Sequence, residues 1–318
     1  MSRSLANPKL GATVALHADA LRLELAPAAG GAIARFYSSI DGYRHDWLRA
    51  ATDAAIAASE PSGMASYPLL PFCNRLRHGQ AYFDGQQITL RPNPLGSKHA
   101  LHGSGWLHPW LLTDHDAQSA RLEMTHPGAG AAWPWPYPFH ATQLFTLRPD
   151  RLTVTVEVEN RGTLPMPLGI GHHPYLPHRA SARLTVDVQA MWGADAESMP
   201  TTLQAPPLLA QLRAGTALSG LVQDNNFIDW NRLARVHWSA TAERPRASSL
   251  LLTAEAPLDY LVLYSPAQHD FFCIEPVSNC TDWLNLAQAG TPQRQIGGSV
   301  IGPGQRCRGT FWLEPTLE

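Results

Sequence analysis

Lysine is almost missing from this 318-residue sequence: Lys9 and Lys98 are the only two. With a formal net charge of −2 and no basic run, nothing in it could track a phosphate backbone, which argues against a nucleic-acid partner. The four cysteines, Cys73, Cys273, Cys280 and Cys307, make no C-x-x-C pair, so a zinc ribbon or a thioredoxin-like motif is excluded. Scattered cysteines in a chain this long read as small buried hydrophobes in a reducing compartment. The opening residues hold no uninterrupted apolar run, and no run elsewhere reaches membrane-spanning length. Together these absences predict a cytoplasmic protein with no membrane partner. Only 16% of residues are charged, while 44% are hydrophobic, enough to build a sizeable core.

Helical periodicity is scarce too. The best stretch, HDWLRAATDAAIAAS at 45–59, is alanine-rich and predicts a helix. What the sequence does have is glycine (24) and proline (27), which cut it into short segments. Several segments alternate with period two: LRLEL from Leu21, LTVTVEVEN from Leu152, RLTVDVQ from Arg183 and LDYLVLY from Leu258. Each predicts a half-buried strand bounded by turns. FDGQQITL at 83–90 predicts a hairpin that turns at Asp84-Gly85. The aromatic WPWPYPF at 133–139 predicts a packed or ligand-facing loop. No composition shift, linker or repeat divides the sequence. The expectation is one domain over residues 1–318, all-β and sandwich-like.

Four polar clusters could carry chemistry: PFCNRLRHG (71–79), KHALHGSGW (98–106), GHHPYL (171–176) and FFCIEPVSN (271–279). His172 and His173 could be metal ligands, acid–base groups or turn residues, since histidine exchanges a proton near neutral pH. His99 and His102 lack the H-E-x-x-H spacing of a helical zinc site, and Ser104 lacks a G-x-S-x-G setting. Glu275 follows the apolar run Phe271-Phe272-Cys273-Ile274 and should be partly desolvated. A buried carboxylate is costly alone, so it needs hydrogen-bond partners, an arginine or a ligand.

In their order along the chain, these segments resemble the aldose 1-epimerase (galactose mutarotase) family. YPLLPFCNRLRHGQAYFDGQQITL resembles its N-R segment and the hairpin that follows, and HALHGSGW its histidine–glycine motif. HPYL is similar to its H-x-Y-[FL] motif, QDNNFIDW to its D-x-x-F-x-x-W segment, and IEPVSN to its glutamate segment. The matches run from about residue 67 to 279. The resemblance implies an all-β fold, a large antiparallel β-sandwich of the galactose-mutarotase type, with a sugar in an open cleft. It implies His173 as general acid, with His172 as its neighbour, and Glu275 as general base. Arg75, His102 and Asp224 would hold the sugar, with Asn74 beside them; because sugars also present apolar C–H faces, an aromatic surface is expected as well, with Trp106 and Trp230 as its candidates. No metal or organic cofactor is implied. The protein would work as a monomer or homodimer on free aldohexoses such as galactose and glucose.

Anomer interconversion needs such a pair on chemical grounds. A base takes the proton of the C1 hydroxyl, an acid protonates the ring oxygen, and the ring opens. A glutamate is ordinarily ionised at neutral pH, and a histidine beside a carboxylate can hold a proton. Three departures from the family pattern stand out. Leu176 replaces a phenylalanine, SNCTDW (278–283) replaces a proline–aspartate turn, and HGSGW stands where hexose-6-phosphate relatives carry H-G-F-A-R. Three rival readings stay open. One is a non-catalytic carbohydrate-binding protein. Another is a hexose-6-phosphate epimerase using Arg77 or Arg91, and the third a metal-dependent sugar isomerase using His99, His102, His172 and His173.

Overall fold

The computed structural model describes residues 8–92, 96–130, 133–242 and 244–318. The alternating segments form strands because side chains alternate across a strand, so one apolar row can be buried while the other meets water. In Arg151–Asn160, Leu152, Val154, Val156 and Val158 are buried, whereas Thr153, Glu157 and Glu159 are partly open. Ala182–Val186 behaves alike, with Arg183 exposed between buried Ala182 and Leu184.

Among the described residues, two large antiparallel sheets result. The nine-stranded one runs in the order Leu111–His115, Ser119–His126, Phe139–Arg148, Arg151–Asn160, Arg306–Leu317, Ser248–Ala254, Leu233–Trp238, Ala182–Val186 and Thr216–Ala217. The eight-stranded one runs Pro200–Gln204, Ala190–Ala194, Gln223–Ile228, Tyr260–Ser265, Phe271–Val277, Gly171–His172 and Pro68–Leu69, with Tyr175–Pro177 also pairing onto Phe271–Val277. Their facing sides meet where the His172 ring lies 5.3 Å from Phe311. Gly309 leaves room there for Leu258 and Ile170, which an added Cβ would approach to about 3 Å. A four-stranded meander covering Val14–Asp46 shares the same core.

Strands in the middle of the second sheet are covered on both faces. Tyr260–Ser265 is therefore buried except at Tyr264, not half-buried as its alternation predicts. Phe271–Val277 is buried from Phe272 onward, which explains its unbroken apolar run. The hairpin at 83–90 is present: Gln80–Phe83 pairs with Gln86–Thr89, and Asp84 (φ 46°) and Gly85 (φ 77°) make a turn with both central φ positive.

The helix expected over 45–59 is only Asp53–Ala58. Its first part is strand Tyr43–Asp46, after which Trp47 and Leu48 turn into the core. Trp47 is fixed there: its ring N–H donates to Ser38 Oγ (2.8 Å) and its backbone N–H to Phe36 O (2.9 Å). Tertiary packing overrode alanine's helix propensity. WPWPYPF is a packed loop, with Trp133, Trp135 and Tyr137 buried. All four cysteines are free, three of them buried, and no described helix is long and apolar enough to cross a membrane.

Candidate active site

Strand Phe271–Val277 sets the site, because alternate residues on it share a face: Phe271, Cys273 and Glu275. Its pairing places Tyr175 opposite Cys273 on one side and Tyr264 opposite Cys273 on the other. His173 lies between strands Gly171–His172 and Tyr175–Pro177, held by its backbone N–H to Tyr67 O (3.0 Å). Its Nε2 is 3.2 Å from Glu275 Oε1. Both residues are nearly covered, at 5% and 2% exposure. Glu275 Oε2 and His173 Nδ1 have no hydrogen-bond partner among the described residues.

His172 faces the other way, into the sandwich. Its Nε2 meets Gln143 Oε1 (3.2 Å) and its Nδ1 meets Ser66 Oγ, so it ties the two sheets together. Burial, with His173 adding, pushes its pKa down to about 3. The adjacent histidines thus serve different layers.

Burial also drives the Glu275 carboxyl well above the usual carboxylate range; nearby Asp224 adds to this and Arg75 opposes it. It drives the His173 imidazole down to about 3. Both shifts favour the neutral partners, since burial penalises charge. Burial thus disfavours the expected ionised Glu275 facing a protonated His173, and the pair's proton leans toward the carboxyl.

The polar residues predicted from sequence gather around this pair. Asn74 (φ 61°) and His102 (φ 59°) both adopt the left-handed backbone region and hold each other there. Asn74 N–H donates to His102 Nδ1 (3.1 Å), and His102 N–H donates to Asn74 O (2.8 Å). With Nδ1 accepting and burial keeping its pKa low, His102 is neutral and carries its proton on Nε2. The next residue, Gly103, must be glycine: φ is 66° and a Cβ would lie 2.1 Å from Leu70 O. The Arg75 guanidinium meets Asp224 Oδ2 (3.2 Å) and donates to Asn74 Oδ1 (3.2 Å). The His102 ring stands 5.2 Å from that of His173, edge to face. Arg75 and Asp224, whose charges both act on Glu275, keep side-chain exposures of 21% and 26% and are the partly open members of the cluster.

The segment SNCTDW, whose shape the sequence left open, is the clamp. Asn279 accepts from Cys73 N–H (3.0 Å) and donates to Cys73 O and Cys280 O (3.1 and 2.8 Å). Asp282 N–H donates to Arg75 O (2.8 Å), and its carboxylate accepts from Arg77 N–H (2.9 Å). The glutamate strand and the arginine segment are thereby bolted together across 205 and 206 residues of chain.

Two expected aromatics are placed differently. Trp106 is 2% exposed and stacks beneath Tyr67, rings 5.1 Å apart, so it backs the site and offers it no face. Trp230 is buried, donates to Leu258 O (3.0 Å) and lines a separate cavity with Asp229 and Arg294. The aromatic surface at the pair is Tyr67, 4.9 Å from His173, and Tyr175, 4.6 Å from it; their hydroxyls are 3.1 Å apart. Arg49 lies 4.0 Å over the Tyr175 ring. These three residues were not found from sequence as site members. Tyr67 carries no charge or spacing signal, and Arg49 falls in the stretch read as helix.

The four-histidine metal set does not form. His99 Nδ1 accepts from His78 N–H and its Nε2 faces Glu197, His172 is inside the sandwich, and only His102 and His173 meet. A cavity of about 720 Å³ lined by Tyr43, Arg44, His45, His178, Arg244 and Arg246 shares none of the site's residues. The convergent polar groups, and not cavity volume, mark the chemistry here.

Fold and site together are an antiparallel sandwich that presents a buried carboxyl–imidazole pair beside a partly open arginine–aspartate pair. The sequence profile of the aldose 1-epimerase family matches residues 21–295, and the chain belongs to that family. An uncharacterized Escherichia coli K12 protein, YphB, is 30% identical over 274 residues, covering 79% of this chain and 85% of its own. In fold the chain is similar to a candidate aldose 1-epimerase of Escherichia coli K12, with TM-score 0.82, 24% identity and coverage of 96% and 99%. It is similar also to a galactose mutarotase-like protein of Clostridium acetobutylicum, with TM-score 0.80, 17% identity and coverage of 96% and 95%.

Proposed function

We propose that the protein is a mutarotase of free aldohexoses, galactose and glucose among them, with Glu275 as base and His173 as acid. The observation that carries this reading is the covered pair at 3.2 Å with one unpartnered polar atom on each member. A buried acceptor without a donor costs about 1–3 kcal/mol, which a sugar hydroxyl would recover.

Opening the ring moves two protons. The C1 hydroxyl gives its proton to the Glu275 carboxylate, the C1–O5 bond breaks, and O5 takes a proton from the His173 imidazolium. The ion pair so becomes the neutral pair, and the sugar an open-chain aldehyde. Rotation about C1–C2 and the reverse transfers close the other anomer. Burial favours the neutral pair, so it lowers the open-chain side of the step. The sugar must first draw the resting proton from Glu275 to His173. Arg75 and the Nε2–H of His102 would donate to sugar oxygens, and Asp224 would accept from hydroxyls.

An unphosphorylated substrate is supported by the state of the candidate phosphate ligands. Arg77 is engaged by Asp282 (3.5 Å) and Asp195 (3.9 Å), and Arg91 is exposed beyond the hairpin. Polarimetry of freshly dissolved α-D-glucose and α-D-galactose, against glucose 6-phosphate, tests this. Acceleration of both free sugars is expected. Preference for the phosphate would reassign the substrate, and no acceleration of any would leave a binding protein.

A further inference from the structure

Cys273 has no part in ring opening, yet it stands beside the two groups that do. It shares a strand face with Glu275, two residues on, and pairs opposite Tyr175, two residues after His173. One donor atom from each of His173, Cys273 and Glu275 lies within 4.8 Å of the other two, and all three residues are buried. Independently, Glu275 Oε2 and His173 Nδ1 are buried atoms without a hydrogen-bond partner among the described residues, the first an acceptor and the second a ring N–H donor in the neutral pair.

We propose that His173, Cys273 and Glu275 form a zinc-binding set, and that Zn²⁺ held there is a reversible inhibitor of the protein. The inhibitory half rests on the mutarotase reading of this same pair. The donor set selects the ion: one sulfur, one imidazole nitrogen and one carboxylate oxygen suit a borderline-soft, four-coordinate cation. Magnesium and calcium prefer six or more oxygens and are a poor match. In a tetrahedral zinc site such donors stand roughly 3.4–3.6 Å apart. His173 and Glu275 are already at 3.2 Å, and the three donors, within 4.8 Å of one another, draw together on the ion to complete the set. The thiolate and carboxylate charges offset those of the dication. On binding, the Cys273 thiol proton and the single proton of the His–Glu pair both leave to solvent, so affinity rises with pH. A pair that ligates zinc can neither accept nor donate a proton to a sugar. Zinc and sugar would share this pair, so the sugar should protect against zinc.

Titrating the metal-free full-length protein with Co²⁺, as a spectroscopic stand-in, tests the site without reference to activity. A thiolate-to-cobalt charge-transfer band that saturates at one equivalent and is displaced by Zn²⁺ is expected. Binding should weaken roughly tenfold or more in Cys273→Ser and Cys273→Ala, at least the loss known for supporting residues of metal sites. In polarimetry Zn²⁺ should suppress mutarotation, chelator should restore it, Mg²⁺ should have no effect, and either cysteine variant should resist zinc. Absence of the band in the unmutated protein, or its persistence in the cysteine variants, overturns the site. A band together with zinc-resistant mutarotation overturns the inhibition. A band in a protein that shows no mutarotation when metal-free overturns the mutarotase reading and leaves the metal site standing.

Discussion

Glu275 carries the sharpest consequences of any single side chain. Glu275→Gln removes the base and should lower kcat by about 10²-fold or more in polarimetry corrected for the spontaneous rate. The same change should raise stability at pH 7. A carboxyl held protonated by burial contributes stability fully below its unfolded pKa of about 4.5 and loses it as pH rises toward its raised folded value. The amide is free of that loss, so its melting temperature at pH 7 should exceed wild type, with the difference shrinking below pH 4.5. His173→Asn should cost far more activity than His172→Asn, because only His173 faces Glu275. An equal loss of kcat in two folded variants would contradict that placement. Asp224→Ala should raise KM about tenfold or more, the worth of a charged hydrogen bond, while also releasing Arg75.

Between elements, the decisive feature is the clamp linking the glutamate strand to the arginine segment. Asn279→Ala strips the partners from Cys73 N–H and from two carbonyls in a fully buried place. A cost of about 3 kcal/mol or more in urea unfolding is expected, since each unsatisfied buried group loses its solvation uncompensated. KM should rise as well, because Asn74 and Arg75 follow directly on Cys73. A variant with normal stability would show that Asn279 does not hold the segments together. Local pattern was a good guide wherever it concerned one element alone. The Asp84-Gly85 hairpin and the strand from Leu152 are as their residues predict. It failed at 45–59, where buried Trp47 and Leu48 outweighed helix propensity.

Across the whole molecule, buried histidines govern the response to acid. Burial depresses His172 and His173 to about 3 and puts His102 well below 6.5, so all three are neutral when folded. A group with a depressed folded pKa binds more protons when unfolded. Stability is thus full above pH 6.5 and is lost as pH falls toward about 3. Glu275 and Asp282, both raised by burial, oppose this above their ordinary carboxyl range, but the depressed histidines outnumber them, since His45, His108 and His126 are lowered by burial as well. Urea midpoints should fall steadily from pH 7 to pH 5, and the slope should flatten in His172→Gln. A pH-independent midpoint over that range would mean these rings are not held neutral.

By itself the sequence determined several of the strands, the hairpin and the identity of the polar clusters, because alternation, turn residues and an ordered set of short motifs are local properties. It brought forward His173, Glu275, Asn74, Arg75, His102 and Asp224, which the fold gathers into one place. Only the tertiary structure decided the rest. It put Trp106 behind Tyr67, turned His172 away from the pair, and drew Tyr67, Arg49, Tyr175 and Cys273 into the site. It also decided which way the pair's proton leans. Burial, strand register and the company of distant residues set those outcomes, and none of the three is written in any short stretch of chain.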